Sequence, residues 1–246
     1  MKGFGPESFG DFNAEGYDDW YGNPSVELTE KTVNVLVELA EGGAILELAV
    51  GTGRVAIPLA NKGLYVSGIE ASSKMIAKLK EKPGSSELVV IQGNMAEFNI
   101  DASYKLIFLV FNTLFNLNSQ KEQARCFNTV SKHLDKGGKF LIETYVPEPE
   151  HYEKGENLKT VHISLDRTVI EACMHDVNKQ TVDYQYIEIT EQGIRMHPLP
   201  IRYSWPSEID LMAENAGLKL FQRWADWQKT PFTSSSKSHI SVYIKK

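Results

Sequence analysis

The chain has few of the residues that build metal sites. Of its 246 residues only two are cysteines, and Cys126 and Cys173 lie too far apart for a metal-binding motif, so we interpret both as reduced, partly buried side chains. The six histidines show neither an HxH nor an HExxH spacing. The sequence therefore predicts no metal site.

Long hydrophobic runs and a basic surface are also missing. No run approaches the roughly 18 apolar residues of a membrane span, and the first ten residues have no apolar segment of the signal-peptide type. The 32 acidic and 26 basic residues give a formal charge of −6, which makes nucleic acid a poor candidate partner. We expect a cytoplasmic protein that binds neither nucleic acid nor membrane.

From residue 43 the chain alternates between strand and helix patterns. Strands are predicted for "AILELAV", "YVSGIE", "ELVVIQG", "KLIFLVF" and "KFLIETYV", with helices at 54–62, 73–82 and 119–134. Nearly continuous apolar strands separated by helices are typical of a parallel sheet covered on both faces. The fold class is thus α/β, with a doubly wound and mostly parallel sheet.

The segments on either side of this core differ from it. Residues 1–40 combine an aromatic, acidic opening with a helical pattern, and we interpret them as an N-terminal helical lid on the 41–150 core. Residues 155–203 contain β-branched and aromatic runs without a helix, which predicts three or four antiparallel strands. Residues 204–246 should contain a last helix and an antiparallel strand pair, within a single domain of 246 residues.

The stretch "ILELAVGTGRVAIPLA", residues 45–60, combines a strand, a glycine turn and a helix. Gly51, Gly53 and Ala56 fit the loose dinucleotide pattern, and Glu70 lies where a ribose-binding acid would be. The turn alone does not separate a nicotinamide enzyme from other nucleotide users. Glu47 begins to separate them, because a carboxylate four residues before Gly51 favours a ligand with a cationic amino group over a pyrophosphate.

Five motifs in order, "ELAVGTGR", "GIEASSKM", "GNMAEF", "FNTLFNL" and "HLDKGGKFLIE", resemble those of the class I S-adenosylmethionine-dependent methyltransferases. The resemblance covers about residues 40–146 and implies a Rossmann-like seven-stranded sheet whose last strand is antiparallel. The aromatic opening and the β insertion look like bacterial small-molecule enzymes, including those that N-methylate nucleotide-linked amino sugars.

The resemblance also implies a set of cofactor residues. The cofactor would be S-adenosyl-L-methionine, and the product S-adenosyl-L-homocysteine. Glu47 would hold the methionine ammonium, Glu70 the ribose hydroxyls, and the Asn94 side-chain oxygen the adenine amine. The residues expected at this site are Tyr21, Glu47, Ala49, Gly51, Gly53, Arg54, Glu70, Ala71, Met75, Asn94, Met95, Phe111 and Asn112. Many relatives have glycine at 49 and aspartate at 94; alanine is tolerable at 49 if its φ stays negative.

Methyl transfer from a sulfonium needs alignment and desolvation more than a nucleophile or a metal. The catalytic candidates are Tyr17, near the transferred methyl, and two bases that a hydroxyl acceptor would use, Glu143 and His175. His162 and His197 are further candidate bases. The acceptor pocket is predicted to contain Tyr145, Tyr184, Tyr186, Arg202 and Trp205.

Two alternatives remain at this point. A nicotinamide-dependent oxidoreductase would leave Glu47 and the terminal strand pair unexplained, whereas a non-catalytic binder of the same cofactor would share every motif. The sequence leaves the acceptor, the choice between N, O and C methylation, and a homodimer open.

Overall fold

The computed structural model describes residues 1–20, 25–148 and 156–246. Within these ranges the helices are α1 Ser8–Asn13, α2 Tyr17–Trp20, α3 Val26–Ala40, α4 Ala56–Asn61, α5 Ser73–Lys80, α6 Gln120–His133 and α7 Pro206–Asn215. The strands are β1 Ile45–Leu48, β2 Val66–Glu70, β3 Val89–Gln92, β4 Tyr104–Leu109, β5 Leu134–Tyr145, β6 Glu156–Ile163, β7 Arg167–Asp176, β8 Thr181–Thr190, β9 Gly193–Arg202, β10 Leu218–Trp224 and β11 Ser238–Lys245. Short 3-10 helices span Ser85–Glu87 and Thr113–Asn116.

The central sheet has the strand order β10-β11-β5-β4-β1-β2-β3. Its neighbours from β3 to β5 pair in parallel, whereas β11 runs antiparallel to both β5 and β10. The predicted α/β class, the mostly parallel sheet and the antiparallel last strand are confirmed. The order reverses beside β1, so the carboxyl ends of β1, β2 and β4 face one crevice.

Local sequence explains why these elements form. All four residues of β1 are buried, since helices cover both faces of the sheet and form two hydrophobic clusters with it. Helices α3 and α5 begin after Ser25 and Ser72, whose hydroxyls accept the N–H groups of Leu28 and Met75. None of the described helices is long and apolar enough to cross a membrane.

The insertion forms a second sheet with the antiparallel order β6-β7-β8-β9. The sequence predicted three or four antiparallel strands here, and the structure has four. Cys173, Tyr184 and Leu199 share one cross-strand row and pack against the main core, so this face of the insertion sheet is its inner face.

The N-terminal residues divide into two parts. Helix α3 packs in the core below the central sheet through Val33 and Leu36. Helices α1 and α2 instead lie against the loops at the strand ends. There Ser72 Oγ donates a hydrogen bond to Asp11 and Thr52 Oγ1 donates one to Asp18, each with a length of 2.6 Å. Of the N-terminal helices, only α1 and α2 therefore lie where the predicted lid would be.

Candidate active site

Two adjoining cavities open at the carboxyl ends of the central strands. The first, the tyrosine cavity, has a volume of about 380 Å³, and the second, the Glu70 cavity, has about 320 Å³. Both are lined by Phe9, Tyr17, Ala49, Thr113 and Asn116. Because they share these walls, they form one cleft that can hold two molecules end to end.

The glycine turn separates β1 from α4 in a left-handed conformation. Ala49, Gly51 and Gly53 have φ values of 54°, 56° and 83°, so the condition of a negative φ for an alanine at position 49 is not met. Glu70 explains how the turn is held, since its two oxygens accept the N–H groups of Gly51 and Ser72, both at 2.9 Å. The carboxylate thus ties the turn to the end of β2.

Glu47 is the most unusual carboxylate of the site. It is 5% exposed, lines the tyrosine cavity, and its Oε2 has no hydrogen-bond partner among the described residues. Burial raises its pKa well above the usual range, against the opposing influence of Arg54 and a bond from the Ala56 N–H. A buried carboxylate oxygen without a partner costs free energy until a donor arrives, and a ligand ammonium is such a donor.

Arg54 and the turn after β4 complete this side of the cleft. The Arg54 guanidinium lies 3.6 Å above the centre of the Phe111 ring, within cation–π distance. Phe111 and Asn112 both have left-handed φ values, 56° and 63°. The Asn112 Oδ1 accepts the Tyr145 N–H at 2.7 Å, so it fixes the turn against the end of β5.

Glu143 of β5 holds the turn that contains Phe111 and Asn112 by hydrogen bonding. Its Oε2 accepts the Phe111 N–H at 2.9 Å and its Oε1 accepts the Trp227 Nε1–H at 2.7 Å. Burial raises the pKa of Glu143, yet the residue is not among those lining either cavity. This placement favours a role in holding the turn over the predicted role as a base.

Asn94 lies in the Glu70 cavity beside Ala71, Met75 and Met95, as predicted for adenine contacts. Its Oδ1 already accepts the Ala96 N–H at 2.9 Å. The expected bond from an adenine amine would therefore have to use the remaining lone pair of this oxygen.

Tyr17, Tyr145, Tyr184 and Tyr186 line the tyrosine cavity. The Tyr184 and Tyr186 rings, two residues apart on β8, are stacked with centres 6.2 Å apart. Tyr17 lies where the two cavities meet, and burial raises the pKa of its phenol. The structure thus brings together at one cavity all four of these tyrosines, which the sequence analysis had placed at the site.

Besides Glu143, the predicted residues that lie outside the linings of both cavities are Gly53, His162, His175, His197, Arg202 and Trp205. Arg202 is buried in an ion pair of 2.7 Å with Glu208, which locks the insertion to α7. His175 Nε2 bonds the Tyr203 hydroxyl at 2.9 Å, and burial lowers its pKa. Trp205 precedes α7 and is partly exposed. The structure therefore brings neither Arg202 and Trp205, predicted as acceptor contacts, nor His175, predicted as a base, to the cavities. Tyr21 lies outside the described residues.

Several lining residues were missed by the sequence analysis. Phe9 lines both cavities, Leu199 and Ile201 line the tyrosine cavity, and Phe4 and Pro6 line the Glu70 cavity. Leu199 and Ile201 could have been found from strand alternation, because they share a face with Tyr184. The described residues contain no cluster of three or more histidine, cysteine or acidic side chains that could hold a metal ion.

Comparisons with known proteins agree with this geometry. Residues 45–138 match a family model described as a methyltransferase domain. The chain is similar to the structure of the CcbJ methyltransferase from Streptomyces caelestis, with 36% identity, a TM-score of 0.91 and coverage of 99% of this chain and 100% of that chain. It is 22% identical over 204 residues to the cypemycin N-terminal methyltransferase of Streptomyces sp, which is 82% of this chain and 83% of that protein.

A more distant structure shares the fold. S-adenosylmethionine-bound CalS10, an amino pentose methyltransferase from Micromonospora echinaspora, has 17% identity, a TM-score of 0.66 and coverage of 93% of this chain and 95% of that chain.

The Glu47→Gln variant should separate stability from ligand binding. Because the folded pKa of Glu47 is raised, its ionisation opposes folding above the usual glutamate range near 4.5. The variant should therefore melt at a higher temperature than wild type at neutral pH without ligand, and this difference should vanish as pH falls below that range. Affinity for S-adenosylmethionine should drop at least about tenfold, since a charge-assisted hydrogen bond of ~1.5–3 kcal/mol is lost.

Glu171→Gln is the matched control for calorimetric titration and thermal melting. Glu171 is also a buried carboxylate, but it pairs with Lys159 at 2.9 Å outside both cavities. Its removal should leave the affinity unchanged and give no stabilisation. Wild-type affinity in Glu47→Gln would show that Glu47 does not bind the ligand.

Proposed function

The chain belongs to the class I S-adenosylmethionine-dependent methyltransferases, and from this premise we propose that it methylates an amine nitrogen of a small molecule. S-adenosylmethionine supplies an activated methyl group on a positively charged sulfur. The protein's task is to align the acceptor with that methyl and to exclude water.

The cofactor residues follow from the cleft. We propose that Glu47 binds the methionine ammonium through its unpartnered oxygen. Glu70 would accept a ribose hydroxyl, because a carboxylate has about four lone-pair sites and the bonds from the backbone N–H groups of Gly51, Ser72 and Ala71 use three of them. Asn94 and Met95 would contact the adenine in the Glu70 cavity.

The main observation in favour of a nitrogen acceptor is that no general base is available among the described residues that line the tyrosine cavity. Among its described lining residues, the ionisable side chains are Glu47, Arg54 and the four tyrosines. Glu47 is assigned to the cofactor, and burial keeps the Tyr17 phenol neutral. A hydroxyl acceptor needs a base during the transfer. A neutral amine attacks through its own lone pair, and the methylated ammonium then loses its proton to water.

The relatives are compatible with this choice. By its name, the cypemycin relative methylates an N-terminus. CalS10 is described as an amino pentose methyltransferase. The net charge of −6 gives no basic surface for nucleic acid, which favours a small acceptor over DNA or RNA.

We assign the two outer parts of the chain to access and acceptor binding. Helices α1 and α2 would act as the lid, since Phe9 and Tyr17 cover the junction of the cavities. The insertion sheet would be the acceptor platform, since Tyr184 and Tyr186 of β8 and Leu199 of β9 form one wall of the tyrosine cavity. Tyr17 would accept a hydrogen bond from the amine and orient its lone pair.

Matched acceptor pairs test the proposed nitrogen chemistry. Amino sugars, amino acids and aryl amines would be offered beside the analogues in which the amine is replaced by a hydroxyl, and products would be detected by the mass of one added CH₂. Only the amines should be methylated. Their rate should rise with pH to a midpoint that follows each amine's own pKa. Methylation of the hydroxyl analogues, with one midpoint shared by all acceptors, would contradict the proposal.

Alanine substitutions of Tyr184 and Tyr186 test the acceptor platform. Each removes aromatic wall from the tyrosine cavity without touching the Glu70 cavity. At least one should raise the acceptor KM or lower kcat, while S-adenosylmethionine affinity stays within about threefold, below the roughly 1.4 kcal/mol of a tenfold effect. Gln185→Ala, on the opposite face of β8, is the control and should keep full turnover. A defect mainly in cofactor binding would show that the insertion sheet is not the acceptor platform.

A further inference from the structure

A third cavity lies beside the active-site cleft, on the same side of the insertion sheet. Its volume is about 300 Å³, and its described lining includes Trp20 of α2, Glu188 of β8, and Arg195 and His197 of β9. None of these residues lines either cavity of the cleft. The molecule therefore has a further chamber close to the site that the proposed chemistry does not use.

Strand alternation shows how near the third cavity is to the tyrosine cavity. Along β8, Tyr184 and Tyr186 line the tyrosine cavity, and the next residue on the same face, Glu188, lines the third cavity. Along β9, Leu199 lines the tyrosine cavity and its same-face neighbour His197 lines the third cavity. Positions two residues apart on a strand are about 7 Å apart. The two cavities are thus neighbours on the inner face of the insertion sheet.

Three rings separate the two cavities. Tyr186 and His197 are direct cross-strand partners. The Trp20 ring meets the Tyr186 ring edge-on, with centres 6.4 Å apart, and lies against the His197 ring with centres 4.4 Å apart. Tyr186 lines the tyrosine cavity, whereas Trp20 and His197 line the third cavity. These three side chains form a wall two side chains thick, which we call the ring wall.

Polar contacts hold the ring wall in place. His197 Nδ1 forms a hydrogen bond of 2.9 Å with Asn13 Oδ1 of α1. The Arg167 guanidinium lies 4.7 Å from the centre of the Trp20 ring and forms an ion pair of 2.6 Å with Glu188. A molecule in the tyrosine cavity would have to break these contacts to displace the wall.

We propose that the ring wall limits the length of the acceptor, so that Trp20 is a specificity-determining residue of the methyl transfer. An acceptor whose reacting atom is aligned near Tyr17 has to end before it reaches Tyr186. The acceptor is therefore a compact molecule without an extension toward the third cavity. This inference rests on the proposed acceptor platform, but it does not depend on whether nitrogen or oxygen receives the methyl.

The third cavity differs from the tyrosine cavity in its chemistry. The charged side chains of Asp19, Arg167, Glu188 and Arg195 line it. An alkyl tail that entered it would desolvate these charges, which costs free energy. Ethylene glycol tails are suitable probes, because they are uncharged and their oxygens accept hydrogen bonds from guanidinium groups.

A series of acceptors of increasing length tests the ring wall. The acceptor with the highest kcat/KM in the panel, whether it is an amine or a hydroxyl compound, would carry an increasing number of ethylene glycol units at the end remote from the methylated atom. For wild type, kcat/KM should fall at least about tenfold once the tail reaches the wall. Trp20→Phe keeps a ring in the wall and should keep this limit.

Removal of the wall should relax the limit. The double variant Trp20→Ala/Tyr186→Ala joins cavities of about 380 Å³ and 300 Å³ along the inner face. Its kcat/KM for the long and the short acceptors should agree within about threefold, and Trp20→Ala alone should lie between it and wild type. Phe12→Ala is the matched control, since Phe12 also belongs to the N-terminal helices and lines the third cavity but is not one of the three rings. It should keep the wild-type limit.

Melting curves and S-adenosylmethionine affinity establish that each variant is folded. Both should stay close to wild type in Trp20→Ala, since Trp20 lines neither cavity of the cleft and Asp11 and Asp18 still bind Ser72 and Thr52.

A wild-type protein that methylates acceptors of every length equally well would overturn the proposal. So would a folded double variant that keeps the wild-type limit, or a Trp20→Ala protein whose main defect is in cofactor affinity. The proposed nitrogen chemistry fails separately, by methylation of the hydroxyl analogues, and the length series is then built on the hydroxyl acceptor.

Discussion

The burial of the Glu47 carboxylate at the end of β1 is the constraint on which the rest of the cleft depends. A carboxylate with an oxygen that lacks a donor opposes folding above the usual glutamate range of pH, so the protein keeps it at a cost in stability. In the proposed role, a ligand ammonium that bonds this oxygen would offset the cost, and Glu47 would favour a ligand with an ammonium group. The pyrophosphate of a dinucleotide is anionic and would not offset the free-energy cost of the buried Glu47 carboxylate. Under this proposal, binding of the methyl donor and the lower stability of the protein without ligand both follow from Glu47.

Two other buried carboxylates, Glu70 and Glu143, stabilise the turns at the same edge of the sheet. Ala49 and Phe111 have left-handed backbones that cost non-glycine residues of the order of 1–3 kcal/mol each. Glu70 and Glu143 accept N–H groups from Gly51 and Phe111, so they hold both turns in place from neighbouring strands. Glu70 keeps a lone pair for a ligand, whereas Glu143 bonds Trp227 on its far side. Of the three carboxylates, Glu47 is thus proposed to bind the ligand, Glu70 supports a turn and is proposed to bind ribose, and Glu143 supports a turn alone.

The sequence predicted the features that local patterns determine. Buried strands gave continuous apolar runs, and Glu47, Gly51 and Glu70 lie at strand ends, so their convergence followed from topology. It could not predict the φ of Ala49, because the bond that holds this turn comes from a residue on another strand. It also misplaced Arg202, since alternation shows which residues share a face but not which face meets the cleft.

The number of protons released when S-adenosylmethionine binds is the most direct test of the role of Glu47. Titration calorimetry at about pH 6, where an α-amino group is fully protonated, would be repeated in buffers with different ionisation enthalpies. Because the ligand ammonium should lower the raised pKa of Glu47, we expect a net release of protons on binding that disappears when residue 47 is glutamine. Equal binding enthalpies in all buffers, with no difference from the glutamine variant, would contradict this account.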